Sequence, residues 1–196
     1  MKKKTLLHGY DSNEELYFSW YLDELYEAGY ISEYEWQPKQ YVLSEAISYE
    51  YDKHLKTKTK TIIKKLMQGH IYSPDYKINW NKNARGFFFL SISDQLCLKN
   101  IPFIAQETED GWNNYMSIVE VKPVFDQNNM TRLFTINYKW LYQKHGIYVQ
   151  KIIPVKLFER TFAPKRYLQT DKSGKPRKLK YKPKSLEEYL CLQTQK

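Results

Sequence analysis

The chain has 196 residues, of which 42% are hydrophobic, 16% aromatic and 27% charged, a globular composition that suffices for one domain with a real core. No apolar run approaches the length of a membrane span, so we expect no membrane contact. The net charge of +9 favours an anionic partner such as nucleic acid. Cys97 and Cys191 lack CxxC spacing, which argues against a zinc knuckle and indicates a reducing cytoplasm.

The first predicted helix begins after Ser12 and runs to about Gly29. Ser12 and Glu15 have the spacing of a capping box, and Gly29 is a natural helix terminator. Glu15 also starts the apolar stripe that continues through Phe18 and Leu22. Two interpretations of Glu15 stay open: it caps its own helix, or it contributes an acid to a functional site.

A first strand is predicted to begin at residues 41–43. Farther along, between His54 and Lys65, lysines at 56, 58 and 60 alternate with threonines at 57, 59 and 61. This alternation is typical of an exposed strand edge, where lysines also block edge-to-edge aggregation. The alternative is a ribbon that contacts phosphates.

Two strand-like segments each carry an acid among apolar residues. Asp75 follows Pro74 in the run 71–78, and Glu120 lies in the predicted buried strand 117–123. Period 2 places Glu120 and Lys122 on the same strand face as Ile118. Burying charges on an apolar face is costly unless they are paired or bind a metal, so these three charged residues are the candidate site.

The long connection between the two acids predicts an insertion over about residues 80–115, folded as a hairpin of the runs 87–90 and 101–104. After Pro123 we predict a helix over 131–145 and a strand over 147–153. Strand, helix and strand of these lengths form a right-handed parallel crossover. The predicted order is therefore α-β-β-β-α-β, an α/β protein with a mixed sheet.

The composition becomes strongly basic between residues 163 and 184, where Asp171 is the one acid. The turn residues 171–174 predict a hairpin that pairs 167–168 with 179–181, and Ser185 opens a short terminal helix. The run is either a solvated basic tail or a clamp on a nucleic-acid backbone. The candidate contacts are Lys165, Arg166, Lys175, Arg177, Lys178 and Lys180.

Pro74-Asp75 followed by Glu120-Val121-Lys122, with Ser12-x-x-Glu15 and Gln37-Pro38 before them, resembles the PD-(D/E)XK nuclease superfamily. Over about residues 10–155 the chain is most similar to small phage-encoded Holliday-junction-resolvase-type endonucleases. It is also similar to the DNA-cleaving subunit of cut-and-paste transposases. The resemblance implies a restriction-endonuclease-like core over 10–155 with the inserted hairpin, followed by a basic extension over 156–196. The long connection between the acids departs from the family pattern.

The resemblance also implies an activity: metal-dependent cleavage of branched DNA in phage DNA processing, in the host cytoplasm. Its implied catalytic residues are Glu15, Asp75, Glu120 and Lys122. Mg²⁺, or Mn²⁺ in its place, would be held by the carboxylates of Asp75, Glu120 and Glu15 and by the Val121 carbonyl. The alternative is a non-enzymatic nucleic-acid-binding or virion-associated protein on the same fold. A homodimer is possible in either case.

Overall fold

The computed structural model describes residues 9–94, 101–108, 114–125, 130–169 and 175–194. Cys97 and the predicted turn 171–174 lie outside these residues. The helices of the described part are α1 (Asn13–Glu27), α2 (Met130–His145), α3 (Pro154–Arg160), α4 (Lys165–Gln169) and α5 (Leu186–Thr194). The strands are β1 (Ile31–Trp36), β2 (Tyr41–Ser44), β3 (Ile47–His54), β4 (Thr59–Met67), β5 (His70–Tyr72), β6 (Tyr76–Trp80), β7 (Phe89–Ser91), β8 (Phe103–Glu107), β9 (Tyr115–Val121) and β10 (Val149–Ile152).

The main sheet is mixed and has the order β1-β6-β9-β8-β7, with β10 also paired to β9. β6 is antiparallel to both β1 and β9, and β8 is antiparallel to β9. β10 is parallel to β9, and α2 lies between them in the chain. The predicted mixed α and β architecture with a mixed sheet is confirmed, and so is the parallel pairing of the crossover strands. None of the described helices is long and apolar enough to cross a membrane.

The central strand β9 separates two apolar clusters, as its period-2 pattern predicts. Val119 and Val121 lie in the larger cluster, which includes the buried stripe of α1. Ile118 lies in the smaller cluster with Phe134 and Leu141 of α2. The sheet is therefore covered by α1 on one face and by α2 on the other, and β9 is buried along its length.

The strand predicted to begin at residues 41–43 is confirmed as β2, but it is not the first strand of the main sheet. Residues 41–44 form β2, but β2 pairs with β5 in a separate two-stranded sheet. The first strand of the main sheet is instead β1, at one edge, which the sequence did not indicate because Ile31 is its one fully buried residue. Pairing with β6, and not an apolar pattern, makes this segment a strand.

The predicted inserted hairpin over 80–115 is also wrong. β7 and β8 pair in parallel, with Phe89 opposite Phe103, whereas a hairpin requires antiparallel strands. Both strands extend the main sheet, and the side chains of Phe88, Phe89 and Phe103 are fully buried. The insertion therefore enlarges the core, because its aromatic residues pack with Trp80 of β6.

The C-terminal residues belong to the same core. Phe158, Phe162, Tyr167 and Tyr189 are buried in the cluster that contains Tyr21 of α1, so the predicted boundary at residue 155 does not separate two cores. The predicted hairpin is wrong because residues 167–168 lie in α4 and residues 177–185 form no strand. The predicted terminal helix is confirmed as α5. Its capping box is complete: Ser185 and Glu188 each donate a backbone N–H to the other's side chain.

Candidate active site

Asp75 lies between β5 and β6, where β6 enters the main sheet. Its backbone N–H donates to the Val119 carbonyl at 3.1 Å, and its carbonyl accepts from Gln37 N–H at 2.8 Å. The Asp75 carboxylate, through Oδ2, accepts from the Val121 N–H at 2.7 Å. Two hydrogen bonds therefore hold Asp75 against the end of β9, next to Glu120, and a third joins it to Gln37.

Glu120 lies on β9 with two hydrogen-bond donors on its two carboxylate oxygens. Oε1 accepts from Lys122 Nζ at 2.6 Å, and Oε2 accepts from the Tyr72 hydroxyl at 2.7 Å. Glu120 is buried and Lys122 is partly buried, so their ion pair is largely shielded from water. Period 2 on β9 brings the two side chains to one face, as the sequence predicts.

The acids influence each other electrostatically. Burial, and then the Glu120 carboxylate, raise the pKa of Asp75 to about 7, although the Val121 amide acts in the opposite direction. Burial and the Glu120 charge also raise the pKa of Tyr72 far above its usual range, so its hydroxyl stays a neutral donor. The half-buried Asp75 carboxylate and the buried Glu120 carboxylate are thus close enough to interact, with Lys122 as their neighbouring cation.

Glu15 lies in the first turn of α1, at the same end of the sheet. Its backbone N–H donates to the Ser12 hydroxyl at 3.1 Å, and that hydroxyl donates to Glu15 Oε1 at 2.7 Å. Oε2 accepts from the Trp36 indole N–H at 3.0 Å. Glu15 therefore combines a capping contact with a bond to the end of β1. It is close enough to Asp75 to contribute to raising the pKa of that group.

The donors Tyr72 and Trp36 are site residues that the sequence analysis missed. Both occur beside quoted motifs, Tyr72 before Pro74-Asp75 and Trp36 before Gln37-Pro38. Tyr and Trp combine an apolar body with one polar donor, which suits them to buried carboxylates. An aromatic hydrogen-bond donor next to each motif could have marked these residues in the sequence. Only the fold shows that Tyr72 donates to Glu120 and Trp36 to Glu15.

The residues present suit a divalent cation in part. Mg²⁺ prefers one or two carboxylates together with water and phosphate oxygens, and Asp75 and Glu120 supply that number. N–H and C=O of one strand residue point to the same side, so the Val121 carbonyl projects on the side of Asp75. No group of three or more His, Cys, Asp or Glu side chains suited to a metal occurs among the described residues. Glu15 as a third ligand thus stays a prediction.

The six basic residues predicted to contact nucleic acid divide into two groups. Five of them are exposed: Lys165, Arg166, Lys175, Lys178 and Lys180. Arg177 is different, because its guanidinium lies over the rings of Tyr17 at 4.8 Å and Tyr167 at 4.1 Å. Its Nε also donates to the Tyr167 carbonyl. The structure therefore gives Arg177 a packing role, and its contact with DNA stays a prediction.

A cleft of about 350 Å³ lies between the second half of α1 and the C-terminal residues, and Asp23, Glu24 and Arg166 are among its lining residues. None of the four predicted catalytic residues lines it. The candidate active site is therefore placed not in this cleft but at Asp75, Glu120 and Lys122, where two acids and one base lie together.

Comparison of this chain with protein-family models, with curated proteins and with solved structures finds no match. The function is therefore inferred from the residues of the site and their geometry.

Proposed function

We propose that this protein is a metal-dependent DNA endonuclease of the PD-(D/E)XK type. One observation carries the proposal: Asp75 and Glu120, 45 positions apart in the chain, meet at the end of two adjacent strands with Lys122 beside them. A largely desolvated acid pair with one cation leaves negative charge that a divalent cation would neutralise. The succession α1, β1, β6, β9, α2 and β10 supports a restriction-endonuclease-like core.

Hydrolysis of a phosphodiester needs a nucleophilic water and neutralisation of the charge that develops on phosphorus. A divalent cation held by Asp75, Glu120 and the Val121 carbonyl would supply charge neutralisation and a more acidic water. Lys122 provides a fixed positive charge beside that position, because Glu120 holds its ammonium group at 2.6 Å. In this arrangement Lys122 orients the attacking water and stabilises the transition state. Tyr72 and the Val121 amide keep the two acids in place.

We propose DNA as the substrate, and branched DNA of the Holliday-junction type as its expected form. The net charge of +9 and the exposed lysines of residues 165–180 support a polyanion. The preference for branched DNA rests on the resemblance of the motifs to resolvase-type endonucleases.

The test is a Mg²⁺-dependent cleavage assay on a four-way junction, a flap, a duplex and single strands. Asp75→Asn and Lys122→Ala are expected to lower the cleavage rate by roughly 10²- to 10⁴-fold while DNA affinity stays near that of the parent. Glu33→Gln, an exposed acid on β1, is the matched control and is expected to cleave normally. A parent that binds these DNAs with Mg²⁺ or Mn²⁺ present and cleaves none of them would support the alternative, a nucleic-acid-binding protein without catalysis.

A further inference from the structure

Besides the candidate active site, the structure contains a β-ribbon formed by β3 and β4. These strands pair with each other in an antiparallel two-stranded sheet separate from the main sheet. Of their residues, all except Ile62 are exposed. A two-stranded sheet without a packed face is marginally stable in water, so this ribbon gains little from its own packing.

The register of the ribbon separates its charges onto two faces. Tyr49 is opposite Lys64, Tyr51 is opposite Ile62, and Lys53 is opposite Lys60. Because side chains alternate along a strand, these six residues share one face, which we name the lysine–tyrosine face. The acids of β3, Glu50 and Asp52, lie on the opposite face. The lysine–tyrosine face therefore carries three lysines and no acid from either strand.

Two features of the lysine–tyrosine face point to an anionic partner. Like charges directly opposite each other destabilise a pair of strands, and Lys53 and Lys60 are such a pair. A bound anion would remove that repulsion. The rings of Tyr49 and Tyr51 are stacked with centroids 6.0 Å apart, and both remain exposed. Each ring covers part of the other, and the remaining surface of both side chains is available to a partner.

The shape of the ribbon suits a duplex. β3 has eight residues, which corresponds to a length of about 26 Å at about 3.3 Å per residue. The major groove of B-DNA admits a two-stranded β-ribbon, and lysines along such a ribbon reach the phosphates at its edges. Three lysines on a face without acids complement the charge of a phosphate backbone.

The root of the ribbon is joined to the candidate active site. β2 and β5, which precede and follow the ribbon, pair with each other, and Tyr72 at the end of β5 donates to Glu120. Gly69 lies so close to the backbone of residues 44–46 that an added Cβ would approach the Ser44 carbonyl to 3.1 Å. The close approach fixes the place where the ribbon ends, three residues before Tyr72, whose hydroxyl binds Glu120.

We propose that the lysine–tyrosine face binds the backbone of a duplex DNA arm that flanks the cleavage position. This inference rests on the proposed nuclease function and adds a substrate-binding surface to the same site. It assigns DNA contacts to Lys53, Lys60 and Lys64, apart from the basic residues 165–180.

The test measures binding to duplex DNA at several salt concentrations with EDTA present, so that it does not depend on cleavage. The variant replaces the three lysines of the lysine–tyrosine face with Gln. A control variant replaces Lys65, on the opposite face of the ribbon, and Lys144 and Lys156, which are exposed outside the ribbon. Each lysine–phosphate interaction contributes about 0.9 to the slope of log K against log salt, so the variant is expected to flatten that slope by about 2.7. The control is expected to keep the parent's slope.

Equal slopes for the variant and the control would overturn the proposal, whether or not the parent cleaves DNA. A weakening confined to single-stranded DNA would overturn the assignment to a duplex. A loss of self-association at an unchanged DNA slope would instead assign the ribbon to a second copy of the chain. A second measurement needs no mutation: duplex DNA is expected to protect Lys53, Lys60 and Lys64 of the parent, but not Lys65, from amine-reactive labelling read by mass spectrometry. Equal labelling of all four lysines would also refute the proposal.

Discussion

Replacing Asp75 with Asn is expected to stabilise the metal-free protein at neutral and alkaline pH. Asp75 is half-buried beside Glu120; desolvation, and then the Glu120 charge, raise its pKa from 3.8 to about 7. Asn has the same shape and can still accept the hydrogen bond from the Val121 N–H. The substitution therefore removes the buried charge while it keeps the contact to β9.

The size of this stabilisation follows from the difference between the pKa of Asp75 in the folded and in the unfolded protein. Between these values the folded state holds a proton that the unfolded state has lost, so the parent loses stability as pH rises from 3.8 to about 7. At about 1.4 kcal/mol per pKa unit, the free energy of unfolding of the parent falls by about 4 kcal/mol over this whole pH range. Asn does not titrate, so its advantage over Asp is expected to grow by about 3 kcal/mol between about pH 4.5 and about pH 8.

Thermal unfolding of both proteins in EDTA, over that pH range, measures the difference. For a chain of 196 residues, about 2–4 °C per kcal/mol predicts that the gap in Tm widens by about 6–12 °C toward alkaline pH. Asp52→Asn, at an exposed acid on the ribbon, is the control and is expected to show no such widening. Parallel curves of Tm against pH for Asp75→Asn and the parent would refute the inference that the fold raises the pKa of Asp75.

The remaining predictions concern the support of the site and the C-terminal residues. Tyr72→Phe removes one hydrogen-bond donor from the buried Glu120 carboxylate. It is expected to lower the free energy of unfolding, measured by urea titration, by about 1–3 kcal/mol. An unchanged free energy of unfolding would mean that this hydrogen bond does not stabilise the fold. Arg177→Ala is expected to lower the free energy of unfolding by about 1–2 kcal/mol, because the guanidinium no longer packs on two tyrosine rings. Lys178→Ala, at an exposed residue, is the control and is expected to leave that free energy unchanged. The reverse order in thermal unfolding would show that the packing of Arg177 on these rings does not stabilise the fold.

The sequence alone predicted the elements whose signals are local. The start of α1 and the start of α5 are each marked by a residue pair three positions apart, and both capping contacts form within one helical turn. β9 is a short, mostly apolar run of the kind that forms a buried strand, and α2 has an apolar stripe of helical period; both elements occur near their predicted bounds. These signals depend on neighbours in the chain, so they can be read without the fold.

Only the tertiary structure decided which distant residues meet. β1 has a weak apolar pattern and becomes a strand because β6 pairs with it, and β7 is too short to predict its parallel partner β8. The three acids were candidates from sequence, but the bonds of Tyr72 to Glu120 and of Asp75 to Val121 span 48 and 46 positions. Arg177 lies in a basic run that resembles a solvated surface, and the aromatic rings of α1 and α4 convert it into a packing residue. Contacts of this kind form when separate elements pack together, and no local pattern encodes them.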